Sequence, residues 1–91
     1  MIRWSPTAAA DLEGICAHIA RDSGPYASLF AKRVIAAVRS LERFPKLGRV
    51  VPEYNDENVR EVFCLAYRVI YRLRHGTVEV AKIRHGAMRL R

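Results

Sequence analysis

Two stretches of the chain, Tyr67–Arg74 and Thr77–His85, are rich in β-branched and aromatic residues and are separated by only His75-Gly76. A two-residue connection ending in glycine between runs of this kind specifies an antiparallel hairpin with a tight turn. The turn also sets the register. Arg74 is expected opposite Thr77, Leu73 opposite Val78, Arg72 opposite Glu79, Tyr71 opposite Val80, Ile70 opposite Ala81, and Arg68 opposite Ile83. Alternation then collects Tyr67, Val69, Tyr71, Leu73, Val78 and Val80 on a face suited to packing. Arg68, Ile70, Arg72, Arg74, Glu79, Ile83 and His85 fall on the other, which is expected to be open and basic. A slip by one residue would bury arginines, at several kcal/mol per unpaired charge. Arg72 and Glu79 are expected as a cross-strand ion pair. Arg68 has no carboxylate opposite it on the hairpin, so either its charge is free for a ligand or it pairs with Glu53 or Glu61.

The rest of the chain supplies what that hairpin would pack against. Ile2-Arg3-Trp4 reads as a short strand, and Ser5-Pro6 as a helix start, with serine accepting orphan backbone N–H groups and proline at the first helical position. The first helix is expected to reach about Arg21, with Ala8, Leu12, Ile15 and Ile19 on one face and Asp11 and Glu13 early, where the helix dipole favours acids. Ser23-Gly24-Pro25 breaks it and starts a second helix. Tyr26, Phe30, Val34, Ala37 or Val38, and Leu41 form the second helix's apolar stripe, and Pro45 stops it at Phe44. So short a connection predicts an antiparallel helical hairpin. Residues 45–58 read as a long loop, partly ordered by Leu47, Val50 and Val51, followed by a strand at Val59–Cys64. The expected fold is therefore α+β, in the order β-α-α-β-β-β, with the helical hairpin on one face of a small, mainly antiparallel sheet. Residues 1–91 are expected to form a single domain.

Charge is unevenly placed along the chain. The formal net charge is +7, yet residues 1–58 hold eight Lys/Arg against seven Asp/Glu, while residues 59–91 hold eight against two. Positive charge concentrated in the last third points to a polyanionic target or an acidic protein segment. No apolar run approaches the ~20 residues of a membrane span, and the start of the chain lacks a signal-peptide layout, so a cytoplasmic protein without a membrane partner is expected. Cys16 and Cys64 lie in no metal-binding spacing and are expected to be reduced and buried; no metal and no cofactor are expected.

At this level the chain resembles the RelE/ParE toxin superfamily of type II toxin–antitoxin systems, and ParE-like members more than RelE-like ones. The resemblance rests on Trp4-Ser5-Pro6, the Ala-Asp-Leu-Glu-x-Ile stretch at residues 10–15, Phe44-Pro45 with Gly48-Arg49, Val59-Arg60-Glu61, the run from Tyr67 to Arg72, and His85-Gly86 with Arg89. Each is weak alone; their order across the chain is specific. The resemblance implies a growth-inhibiting toxin held by a cognate antitoxin in a hetero-oligomer. Its target would be DNA gyrase or, alternatively, the ribosome with its mRNA.

The two targets ask for different residues. Metal-free RNA cleavage needs a base, a cation for the phosphorane and an acid, with each proton transfer contributing roughly 10² to 10⁴. Arg68 is then the candidate clamp, His85 the candidate acid and Glu53 the candidate base; Arg68 and His85 match the strand arginine and C-terminal histidine of the superfamily's YoeB-like branch. Departures count against this reading, because no Tyr follows His85, only Lys46 stands for a lysine-rich loop, and residues 86–91 contain no acid. The favoured gyrase reading needs no catalytic group, and Arg60, Arg68, Arg72, Arg74, Arg84, Arg89 and Arg91 become candidates for recognition of target or antitoxin. A third reading is an inactive module that retains only antitoxin binding.

Overall fold

The computed structural model describes residues 1–90; Arg91 lies outside the described residues. Its elements are β1 (Ile2–Trp4), α1 (Pro6–Ala20), α2 (Gly24–Arg43), β2 (Arg49–Val50), β3 (Val59–Cys64), β4 (Tyr67–Arg74) and β5 (Thr77–His85). The five strands form one sheet in the order β1-β5-β4-β3-β2, parallel only between β1 and β5. This is the expected α+β fold with one addition. Arg49 and Val50, in the segment read as loop, pair with Glu61 and Arg60 as a two-residue edge strand.

Both helices begin as their sequences require. Ser5 is extended, and its Oγ accepts from the Ala8 N–H at 3.0 Å, with Pro6 in the first turn. Ser23 caps α2 in the same way, accepting from the Tyr26 N–H at 3.1 Å. In the short connection, the N–H groups of Asp22 and Ser23 both donate to the Ile19 carbonyl, folding the chain back on itself. Ala27, Phe30, Val34, Val38 and Leu41 are the buried face of α2. Tyr26 was expected in that stripe but is exposed, and its neighbour Ala27 is buried instead. A small side chain sits there because the Cys16 side of α1 approaches closely, Cys16 Sγ lying 4.0 Å from the Ala27 carbonyl. Asp11 is also not in the first turn of α1; its partner is Arg84, described below.

The helical pair covers one face of the sheet. Ala8, Phe30, Val34 and Val38 meet Cys64, Val69, Val80 and Ile83, with Ile2, Trp4, Leu12 and Tyr67 at the margin. The hairpin has the expected turn: His75 and Gly76 adopt φ of 49° and 76°, as a mirror-image turn requires. Its register is as expected from Arg74–Thr77 through Tyr71–Val80 and then shifts by one residue. Ile70 faces Lys82 rather than Ala81, and Arg68 faces Arg84 rather than Ile83. Ala81 is the extra residue of a β-bulge, which turns every later side chain of β5 to the opposite face. Ile83 therefore joins the core against the helices, and His85 follows it to that face, where its ring meets the Tyr67 ring edge-on at 5.4 Å. The bulge is held by the start of α1, since the Ser5 hydroxyl donates to the Ala81 carbonyl at 2.8 Å and the Ser5 N–H to the Val80 carbonyl at 2.9 Å.

The opposite face of the sheet, expected to be open and basic, is roofed over at its centre. Val51, Val59, Ile70 and Leu90 form a second apolar cluster with Tyr54 packed against it, so the 51–57 segment and the C-terminal tail lie over β3 and β4. No helix among the described residues is long and apolar enough to cross a membrane.

Candidate functional site

The polar centre of the molecule lies beneath that roof. Arg68 of β4 and Glu61 of β3 project to the same side of the sheet and are 4% and 1% exposed. A charge this deep must be both paired and hydrogen-bonded, and every nitrogen of Arg68 has a partner. Its Nε donates to Glu61 Oε1 at 2.6 Å; Nη1 and Nη2 donate to Glu53 Oε2 and Oε1 at 2.9 and 2.8 Å; Nη1 also donates to the Met88 carbonyl at 3.2 Å. Glu61 Oε2 takes Arg49 Nε at 2.6 Å, and Glu53 Oε2 takes the Leu90 N–H at 3.1 Å. The charge of Arg68 is thus paired, and its two carboxylates come from β3 and the roofing segment, outside the β4–β5 hairpin. The two-pronged contact with Arg68, helped by the Leu90 N–H, holds the Glu53 carboxyl well below the usual carboxylate range. Glu53, followed by Glu61, holds the Arg68 guanidinium above its ordinary value despite burial.

His85 does not join this group. It is exposed on the helix side of the sheet, and its Nδ1 accepts from the Ala87 N–H at 3.1 Å. Arg68 and Glu53 are brought together, but as an ion pair, and His85 is turned away from both by the Ala81 bulge. The candidate base is itself bound to the candidate clamp.

The candidate recognition arginines divide by partner. Arg60 is half-buried, donating to the Glu57 and Gly48 carbonyls at 2.8 and 2.9 Å. Arg84 pairs with Asp11 at 2.6 Å, the same carboxylate oxygen that accepts the Ile83 N–H. Arg89 is exposed at the rim of a concavity of about 330 Å³ whose lining includes Arg49, Glu53 and Arg68. Arg72 and Arg74 are exposed. Arg72 faces Glu79 as expected, yet no ion pair joins them among the described residues. Arg91 lies outside the described residues.

The sequence reading passed over Tyr71 and Gly48 as functional positions. Tyr71 is fully buried; its hydroxyl donates to the Pro45 carbonyl at 2.7 Å and accepts from the Gly48 N–H at 3.0 Å. Gly48 has no room for a side chain, since a Cβ would lie 2.5 Å from the Glu61 carbonyl oxygen. The signal that was available is Phe44-Pro45-x-x-Gly48, a turn with glycine at a close approach, together with a tyrosine at a core position whose hydroxyl had to find a partner. Among the described residues no group of three or more His, Cys, Asp or Glu side chains is placed to hold a metal ion.

Comparison with known proteins agrees with this geometry. The sequence model of the family described as "ParE toxin of type II toxin-antitoxin system, parDE" matches residues 2–90. A solved structure described as "Chromosomal ParDE TA system from P. aeruginosa" contains a chain of the same fold, with a TM-score of 0.76 and 22% identity over 92% of each chain. No curated protein matches the chain.

Proposed function

This chain belongs to the family of ParE toxins of type II toxin–antitoxin systems, and on that premise we propose that it inhibits growth by binding DNA gyrase, without cleaving RNA, until a cognate antitoxin neutralises it. The observation that carries this reading is the pairing of Arg68 with two carboxylates through all three of its nitrogens. A phosphate clamp must offer unpaired N–H donors to a developing negative charge. Here every guanidinium nitrogen of the buried Arg68 already donates to Glu61, Glu53 or Met88. Opening that cluster to admit a phosphate would leave Glu53 without its cation and the buried Glu61 with only Arg49. His85, the group that would supply the acid, lies on the far side of the sheet.

What the fold offers instead is surface. Arg72, Arg74 and Arg89 are exposed and join no ion pair among the described residues, and the excess positive charge of the last third suits acidic partners, target and antitoxin alike. Residues 1–91 act as one toxin domain in this reading.

Two assays with the purified chain test it. Plasmid supercoiling by gyrase is expected to fall, or a cleavage complex to accumulate, at excess toxin, while mRNA on translating ribosomes stays intact. Unimpaired supercoiling together with cut ribosomal mRNA would reverse the assignment.

A further inference from the structure

Two concavities, of about 670 and 720 Å³, meet at Arg72, and Asp56 and Val59 line both. The joined trough runs from Lys46 and Arg74, beside the β4–β5 turn, to Lys82 and to Thr7 in the first turn of α1. Arg72 and Arg74 project to one face of β4, about 6–7 Å apart along the strand, and Lys82 stands opposite Ile70 of that same face. Lys46, Arg72, Arg74 and Lys82 join no ion pair among the described residues. Lys82 is held in place by a tyrosine instead: its Nζ donates to the Tyr54 hydroxyl at 2.9 Å and lies 5.4 Å from the centre of the Tyr54 ring. The acids of the lining offset little of this charge. Glu53 belongs to Arg68, which leaves Asp56, whose Oδ1 accepts the Asn58 N–H, as the one acid of the lining without a cation among the described residues. Arg84, also in the lining, is paired with Asp11, and Glu79, opposite Arg72, lines neither concavity.

The apolar side chains of the lining decide between a protein and a nucleic acid as occupant. A protein partner anchors on apolar side chains that become buried at the centre of the interface, with charge at the rim. In this trough Val59, Ile70, Tyr71 and Val78 are buried already, and none of the chain's exposed large apolar residues lines either concavity. Pro45, at one end, is the exposed apolar member of the lining. Cations without an apolar anchor are the footprint of a phosphate backbone, whose binding draws on charge and counterion release and asks for no apolar contact. A single strand would also need open aromatic faces on which its bases could stack. Tyr71 is fully buried and Tyr54 is half-buried with Lys82 over its ring, so the exposed His75 ring at one end is what the lining offers for stacking. A duplex, whose backbone is a continuous ridge of anions, fits this surface better.

We propose that this trough binds the backbone of double-stranded DNA through Arg72, Arg74 and Lys82, with Lys46 at its end. These are three of the eight cations of residues 59–91, and Lys46 from the segment that follows α2. The proposal goes beyond the reading of the chain as an inhibitor that binds gyrase; only the choice of DNA over RNA rests on that reading, since gyrase acts on DNA.

Fluorescence anisotropy of a short labelled DNA duplex, with the full chain free of antitoxin, tests it. Neutralising two to three phosphates predicts an affinity that falls about ten- to fortyfold between roughly 50 and 200 mM salt. Arg72→Ala, Arg74→Ala and Lys82→Ala are each expected to weaken binding and to lower the slope of log affinity against log salt by about one. Arg39→Ala removes the same charge from the exposed side of α2 and is expected to leave that slope unchanged. Circular dichroism checks that each variant folds. A wild-type chain that does not bind the duplex at low salt would overturn the proposal, as would folded trough variants that bind it like wild type. A polyglutamate peptide held as tightly as the duplex, and lost in the same variants, would give the trough to an acidic protein segment; an RNA duplex held more tightly than DNA would give it to RNA, and either result sinks the assignment. Supercoiling by gyrase is read separately. A chain that binds the DNA duplex through the trough yet leaves supercoiling unimpaired would remove the proposed function and retain the DNA site.

Discussion

Arg68 is the side chain on which most of the polar interior depends, because among the described residues it is the only cation that reaches Glu61 and Glu53 together. Removing it leaves Glu53 without a cation and the buried Glu61 with only Arg49, and breaking a buried pair is far more damaging than never having had it. Arg68→Ala is therefore expected to destabilise the chain by about 3–5 kcal/mol. Arg68→Lys should recover only part of that, as an ammonium cannot make the two-pronged contact with Glu53. Urea denaturation measures both, and a loss for Arg68→Ala under about 1 kcal/mol would mean that the cluster behaves as a surface pair. Glu53 adds a pH dependence whose sign follows from its lowered pKa. The folded state holds Glu53 ionised more strongly than the unfolded state does, so its contribution is complete above the unfolded carboxylate value of about 4.3 and is lost as pH falls below it. Glu53→Gln should melt lower than wild type at pH 7, and the gap should narrow from pH 5 toward pH 2.5. A gap independent of pH would separate the Glu53 effect from its charge.

At the scale of elements, the Ala81 bulge matters most, because it decides which side chains of β5 meet the helices. Its trace is present in the sequence as the spacing Val78, Val80, Ile83, a step of two followed by a step of three. Period-two reading misses it, since the hairpin turn alone implies uninterrupted pairing. What stabilises the bulge comes from the far end of the chain: Ser5 caps α1 through Oγ and satisfies the Ala81 carbonyl with the same hydroxyl. Ser5→Ala removes a helix cap and leaves a carbonyl at the bulge without its donor. A loss of about 1–2 kcal/mol is expected, with faster amide exchange at both Ala8 and the β5 residues beside the bulge. Exchange that quickens at Ala8 alone would show that the bulge holds without Ser5.

At the scale of the whole molecule, the sheet carries apolar layers on both faces, the helical hairpin on one and the 51–57 segment with the tail on the other. Leu90 closes the second layer, at 6% exposure, and its N–H reaches Glu53. Leu90→Ala is thus expected to lower stability by about 2–4 kcal/mol and to weaken the roof over Arg68, read as increased protease sensitivity between Val51 and Glu57. Unchanged stability would mean that the tail adds nothing to the folded state. Local patterns by themselves determined the helices, their serine caps, the β4–β5 turn and the α+β class, because each depends on neighbours within a few residues. They also marked Arg68, Glu53 and Glu61 as potential partners. Only the tertiary structure decided that both carboxylates close on Arg68, that the bulge sends His85 to the opposite face, and that Tyr71 and Gly48 brace a turn whose apolar side chains face outward. Those outcomes depend on contacts between residues far apart in sequence, where period and propensity carry no information about distance.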